Sequence, residues 1–147
     1  MEIDLNKKQY ETLLRLAYLG NWVVNGFRPE EEKDQETDAL ENTLYEKARD
    51  FGLERAVFYD EELNGWYPSQ RTEDRWLVDL YDYNDDVFWD ELARHLADRD
   101  LTAKYGRDAL QAMKPEEKSK LETELVERYF AEFDKNGLKN LSLWRPS

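Results

Sequence analysis

The chain's one histidine, His95, stands four residues after Glu91, a spacing that turns both side chains toward the same side of a helix. Such a carboxylate–imidazole couple could hold part of a metal site or move a proton. It lies in YDYNDDVFWDELARHL, Tyr81 to Leu96, which carries five acids and four aromatics. A transition metal asks for more, because one histidine and no cysteine cannot build the usual nitrogen or sulfur cage. On an ideal wheel His95 falls about 20° from Phe88, at the edge of an apolar stripe of Phe88, Leu92 and Leu96. His95 is therefore read as structural, and no metal site and no cofactor is assigned.

Calcium is suggested and then refused by DEELNG, Asp60 to Gly65. Its oxygen-bearing side chains and glycine imitate the opening of an EF-hand loop, but the closing position that needs a bidentate glutamate holds Arg71, and Pro68 interrupts the loop. Asp82, Asn84 and Asp86 begin a second series that fails at Val87 and Ala93. Nucleophilic serine chemistry would pair His95 with Ser69, Ser119, Ser142 or Ser147, none of them in a G-x-S-x-G turn. No glycine-rich phosphate loop is present. Carboxylate pairs for glycoside chemistry are so numerous among 34 acids that no single pair stands out.

Those 34 acids face 21 basic residues, a formal net charge of −13. A surface of that sign repels phosphate backbones and anionic lipid, which argues against direct nucleic-acid binding and against membrane adsorption. Charged residues make up 37% of the 147, yet five Trp, nine Tyr and six Phe supply large apolar area. That mixture fits a folded protein with a charged skin, since disorder comes with few aromatics. The length suits one domain over residues 1–147. The uncharged run from Leu16 to Phe27 is short of the roughly 20 residues that span a bilayer. Without a basic segment leading into an apolar core near the start, no secretion signal is read, and a cytoplasmic address is expected.

The elements that must position these residues follow from periodicity. A first helix opens at Asn6, where N-K-K-Q has capping-box spacing, and runs to about Phe27. From Leu16 onward it is apolar all round, which predicts a buried central helix. Residues 28–38 read as an acidic connector loop. A second helix ends before Gly52; Gly106 and Gly137 stand in similar capping positions. Ala56 to Tyr59 reads as either strand or helix, with turns at Asn64-Gly65 and Pro68. A third helix opened by Thr72 carries Trp76, Leu77, Leu80 and Tyr81, and a fourth starts near Asn84 or Asp85 and ends near Asp98. The last long helix runs from Pro115 to about Lys135, with Leu121, Leu125, Val126, Tyr129, Phe130 and Phe133 inward. The tail, 138–147, is expected to pack on the body through Leu138, Leu141, Leu143 and Trp144. The fold class is mainly α, an irregular bundle of about five to seven helices with at most a small β-ribbon.

Two functions fit. In a two-helix reading, Asp85, Asp86, Asp90 and Glu91 sit near a helix start, where the dipole favours acids. What remains is density: nine of twenty aromatics lie between Phe58 and Glu91, interleaved with acids. Aromatics ringed by acids suit a basic protein partner, through ion pairs and cation–π contact. The favoured reading is a small acidic interaction module of adaptor, inhibitor or immunity type, in its sharpest form a nucleic-acid mimic. Its surface would comprise Tyr81, Asp82, Tyr83, Asp86 and Asp90, with Trp66 and Tyr67 joining. The alternative is an enzyme or ligand-binding protein with a pocket near Glu91 and His95, or near Asn21, Trp22 and Asn25.

Overall fold

Asn6 starts the first helix as its spacing predicts. Its side chain accepts the Gln9 N–H at 3.0 Å while the Gln9 side chain accepts the Asn6 N–H at 2.9 Å, so two amides at the open end are satisfied reciprocally. In the computed structural model, which describes residues 3–142, this helix, α1, spans Lys7–Asn25. The remaining elements are α2 (Gln35–Glu46), strands β1 (Val57–Asp60) and β2 (Gly65–Pro68), α3 (Gln70–Tyr105), α4 (Arg107–Ala112) and α5 (Pro115–Asn136). The protein is mainly α, with five α-helices and one two-stranded antiparallel sheet among the described residues. None of those helices is long and apolar enough to cross a membrane. The chain forms two compact units, Met1–Tyr81 and Asp82–Ser147.

In the first unit the core gathers around Trp76, which is fully buried with Leu14. Tyr10, Leu14 and Tyr18 recur every four residues along one face of α1 and meet Tyr45, Ala48, Leu53 and Val57. Tyr18 lies 5.5 Å from Trp76, ring centre to ring centre, and Tyr45 stacks on it from 6.4 Å. The expectation of an all-round buried α1 is corrected here. Leu16 and Val23 are 59% and 67% exposed on the far face, and Phe27 projects into solvent beyond the helix end. A helix in a unit this small finds cover for one stripe only.

The segment that reads as strand or helix is a hairpin, β1 pairing with β2 through Val57↔Pro68 to Asp60↔Gly65. Its turn explains the calcium-like DEELNG. The Asp60 carboxylate accepts the N–H groups of Glu62 and Leu63 at 2.9 and 3.0 Å, and Asn64 takes the left-handed conformation that asparagine tolerates. Oxygen ligands here close a turn. The acidic connector is shorter than its composition suggests, because Asp34 caps α2 by accepting the Thr37 N–H at 3.0 Å and Glu30–Glu32 form a 3-10 turn. Gly52, Gly106 and Gly137 alone among the described glycines have positive φ; Gly106 and Gly137 follow α3 and α5, while Gly52 closes a 3-10 turn, Lys47–Phe51, in which the expected second helix ends after α2 stops at Glu46.

The largest departure from the sequence reading is α3. Two helices were expected on either side of Asn84; one helix of 36 residues runs through, starting at Gln70 before Thr72. Asn and Asp were read as caps, but no Gly or Pro interrupts Gln70–Tyr105, and a capping residue does not break a helix that has a continuing pattern. Across Tyr81–Phe88 all eight residues are exposed, so Phe88 does not join an inward stripe.

In the second unit Ala93, Leu96, Ala97, Leu101 and Leu110 are buried, and Trp89 packs 5.3 Å from Phe133. Leu121, Leu125, Val126, Tyr129 and Phe133 of α5 are half-buried, while Phe130 is exposed, against expectation. In the tail, Leu138 is exposed and Leu141 half-buried; Leu143 and Trp144 lie outside the described residues. Tyr129 donates to Asp100, whose carboxylate also meets Arg99 at 2.8 Å. The Tyr129 hydrogen bond, then Arg99, holds the Asp100 carboxyl below its ordinary value.

Two outcomes are expected. Under the two-helix reading Asp85 would occupy the first helical position, where proline is welcome; in one continuous helix Asp85→Pro instead costs about 3 kcal/mol or more and lowers helicity by circular dichroism. Because the folded Asp100 value is depressed, its stabilisation is present above the unfolded value of about 3.9 and fades as pH falls through the folded one. Tyr129→Phe should therefore lose less stability than wild type on acidification below about pH 4, followed by ellipticity.

Candidate functional site

The middle of α3 combines three properties. Asp82, Asp86 and Asp90 recur every fourth residue and so form one ridge of the helix. Around them Tyr83 is 63% exposed and Phe88 48%, and Tyr81, the last residue of the first unit, is 60% exposed. Asp82, Asp85 and Asp86 enter no salt bridge among the described residues. Asp90 differs, since Arg94 Nε donates to it at 2.7 Å.

The helix dipole does not explain this acidity. The start of α3 lies about four turns before Asp85, whereas the effect of a helix end decays within one turn. Aspartate is also a poor interior helix residue, and like charges four apart are unfavourable by some tenths of a kcal/mol. Helix stability alone does not account for these residues.

The other sequence candidates separate cleanly. Trp66 and Tyr67 are half-buried in the hairpin, where they form cross-strand aromatic pairs, Tyr59–Trp66 at 5.4 Å and Phe58–Tyr67 at 6.2 Å. Arg49 also lies over the Trp66 ring at 5.7 Å. His95 is corrected more fully: its side chain is 81% exposed, with Nε2 3.6 Å from a Glu91 oxygen. It is neither at the edge of a core nor in a pocket. No group of three or more potential metal ligands occurs among the described residues.

Asn21, Trp22 and Asn25 do line a cleft, of about 370 Å³. Its amides, however, are already engaged. Asn25, itself buried, donates to Asn21 Oδ1 at 2.7 Å and to the Asp34 carbonyl at 3.1 Å, and accepts the Asp34 N–H at 2.8 Å. Asn21 donates to Asp38 at 2.8 Å and to Glu41. These bonds fasten the end of α1 to the cap of α2.

Sequence reasoning missed the continuation of this network. Glu41 also accepts from the Tyr45 hydroxyl, and Tyr18 donates to Glu73 at 2.8 Å. Burial pushes the Glu41 carboxyl upward, against hydrogen bonds from Tyr45 and Asn21 that favour its charged form. Burial likewise raises the Tyr18 and Tyr45 hydroxyls, with Glu73 and Glu41 adding to the effect. The four-residue spacing of Glu41 and Tyr45 was the available signal, but it describes many ordinary helix pairs.

Among the described residues no buried side-chain polar atom lacks a partner, so the network is complete as it stands. Asn25→Ala would orphan the Asp34 amide and leave Asn21 short of a donor; an expected loss of about 2–3 kcal/mol in urea unfolding measures its fastening role.

No protein-family model, no curated protein and no solved structure matches this chain.

Proposed function

We propose that the protein is an acidic interaction module that binds a basic protein partner through Asp82, Tyr83, Asp86 and Asp90, with Tyr81 preceding them in the chain. The observation that carries this reading is a run of eight exposed mid-helix residues in which acids unfavourable to the helix alternate with open aromatic rings. A net charge of −13 speeds encounter with a cationic partner. The rings supply the desolvated anchors that charge alone does not. A partner whose own site accepts nucleic acid is the sharpest form of the proposal, since a row of carboxylates offers the negative charge such a site takes. Trp66 and Tyr67 are half-buried and pair within the hairpin, so the proposal rests on the residues of α3.

The enzyme reading draws less support. The Asn21–Asn25 amides are fully used in holding α1 to α2, and His95 stands in open solvent with one carboxylate.

Kinetic measurements on a captured basic partner separate the two contributions. Reversing Asp82, Asp86 and Asp90 together to Lys should slow association by about tenfold or more at low salt and flatten its salt dependence. Tyr83→Ala should leave association nearly unchanged and speed dissociation by about tenfold. Equal binding of the triple reversal and the wild type, both folded by circular dichroism, would overturn the proposal.

A further inference from the structure

In a chain where acids outnumber bases 34 to 21, one recess of the first unit reverses the ratio. Lys7, Arg55, Arg71 and Arg75 line it against two acids, Glu54 and Asp74, around a volume of about 1050 Å³. Three separate parts of the chain contribute: Lys7 from the start of α1, Glu54 and Arg55 from the turn before β1, and Asp74 with the i, i+4 pair Arg71 and Arg75 from the first turns of α3.

The partners of these groups decide what the recess can take. Asp74 is held by the Gln70 amide at 2.8 Å. Arg75 gives one Nη to Glu11 at 2.7 Å, and Lys7 gives one of its three donors to the Gly52 carbonyl at 2.6 Å. Arg55 and Arg71 are exposed and make no side-chain ion pair among the described residues. Two guanidinium forks and part of an ammonium are therefore open to one space, beside the exposed Glu54 carboxylate, which likewise enters no ion pair among the described residues.

We infer that this recess binds a small multiply charged anion of the phosphate class. Guanidinium forks and an ammonium reaching in from different elements suit a group with several oxygens in a tetrahedral array; a carboxylate offers only two, in one plane. A long nucleic-acid backbone is disfavoured because it would also meet the acidic remainder of the surface. A small ligand is shielded from that remainder, since screening acts over about 8 Å at physiological ionic strength.

Isothermal titration of the full chain with inorganic pyrophosphate tests the inference at constant ionic strength. A single saturable site is expected. The double variant Arg55→Gln/Arg71→Gln, folded by circular dichroism, should bind about tenfold or more weakly. Arg71→Lys, which keeps the charge and loses the fork, should fall between it and wild type. The inference is overturned by the absence of saturable binding up to about 5 mM, or by unchanged affinity in both variants. Citrate binding as tightly as pyrophosphate would overturn the phosphate assignment in favour of a polycarboxylate.

Discussion

An α-helix satisfies its own backbone amides and carbonyls, and that property lets α3 carry Tyr81–Phe88 with no apolar core beneath it. A strand or loop so exposed would depend on water or on neighbouring chain for the same hydrogen bonds. Self-sufficiency is still not stability, because an isolated helix of a few turns is marginal in water and one rich in aspartate is worse. The exposed turns persist because the residues on either side are held: Trp76 and Leu80 are buried in the first unit, and Ala93, Leu96 and Ala97 in the second.

The first unit solves a different problem with buried polar groups. Its α1 and α2 meet through Asn21, Asn25, Asp34, Asp38 and Glu41 where an apolar contact might have served. Amides are suited to this position because each carries both donor and acceptor, so Asn25 can bond the Asp34 amide and carbonyl at once. An apolar pair would leave the capping residue free to shift, whereas two hydrogen bonds to its backbone set the register of α2. Specificity of this kind has a cost, visible in the upward push that burial gives the Glu41 carboxyl.

Much of this was legible in the sequence, and the failures have physical causes. The Asn6 cap and the three glycine turns depend on contacts a few residues apart, which spacing describes well. The turn at Asn64-Gly65 and the exposure of Tyr81 and Tyr83 follow from local chemistry too. The break placed near Asn84 was wrong because aspartate and asparagine favour helix starts without enforcing them, and the decision rested with packing on both sides. His95 departs from expectation for the same reason: it lies close to Phe88 around the helix, but Phe88 itself is exposed. The basic recess was invisible because Lys7, Arg55 and Arg71 are far apart in the chain and only the fold makes them neighbours.

Charge is distributed to match. Carboxylates left without cations crowd one exposed helical stretch, where solvent screens their repulsion and folding needs nothing from them. The unpaired guanidinium groups of Arg55 and Arg71 stand instead in a recess of the first unit. In a chain with a large surplus of acid, the simplest use of an arginine is to neutralise a neighbouring carboxylate, as Arg15 does with Asp79 at 3.2 Å and Arg94 with Asp90. Arg55 and Arg71 share their recess with Glu54 and Asp74 yet pair with neither, and beside a lysine anchored to a backbone carbonyl they are not explained by balancing the net charge. Their placement makes sense if an external anion completes the pairing, just as the unpaired aspartates make sense if an external cation does.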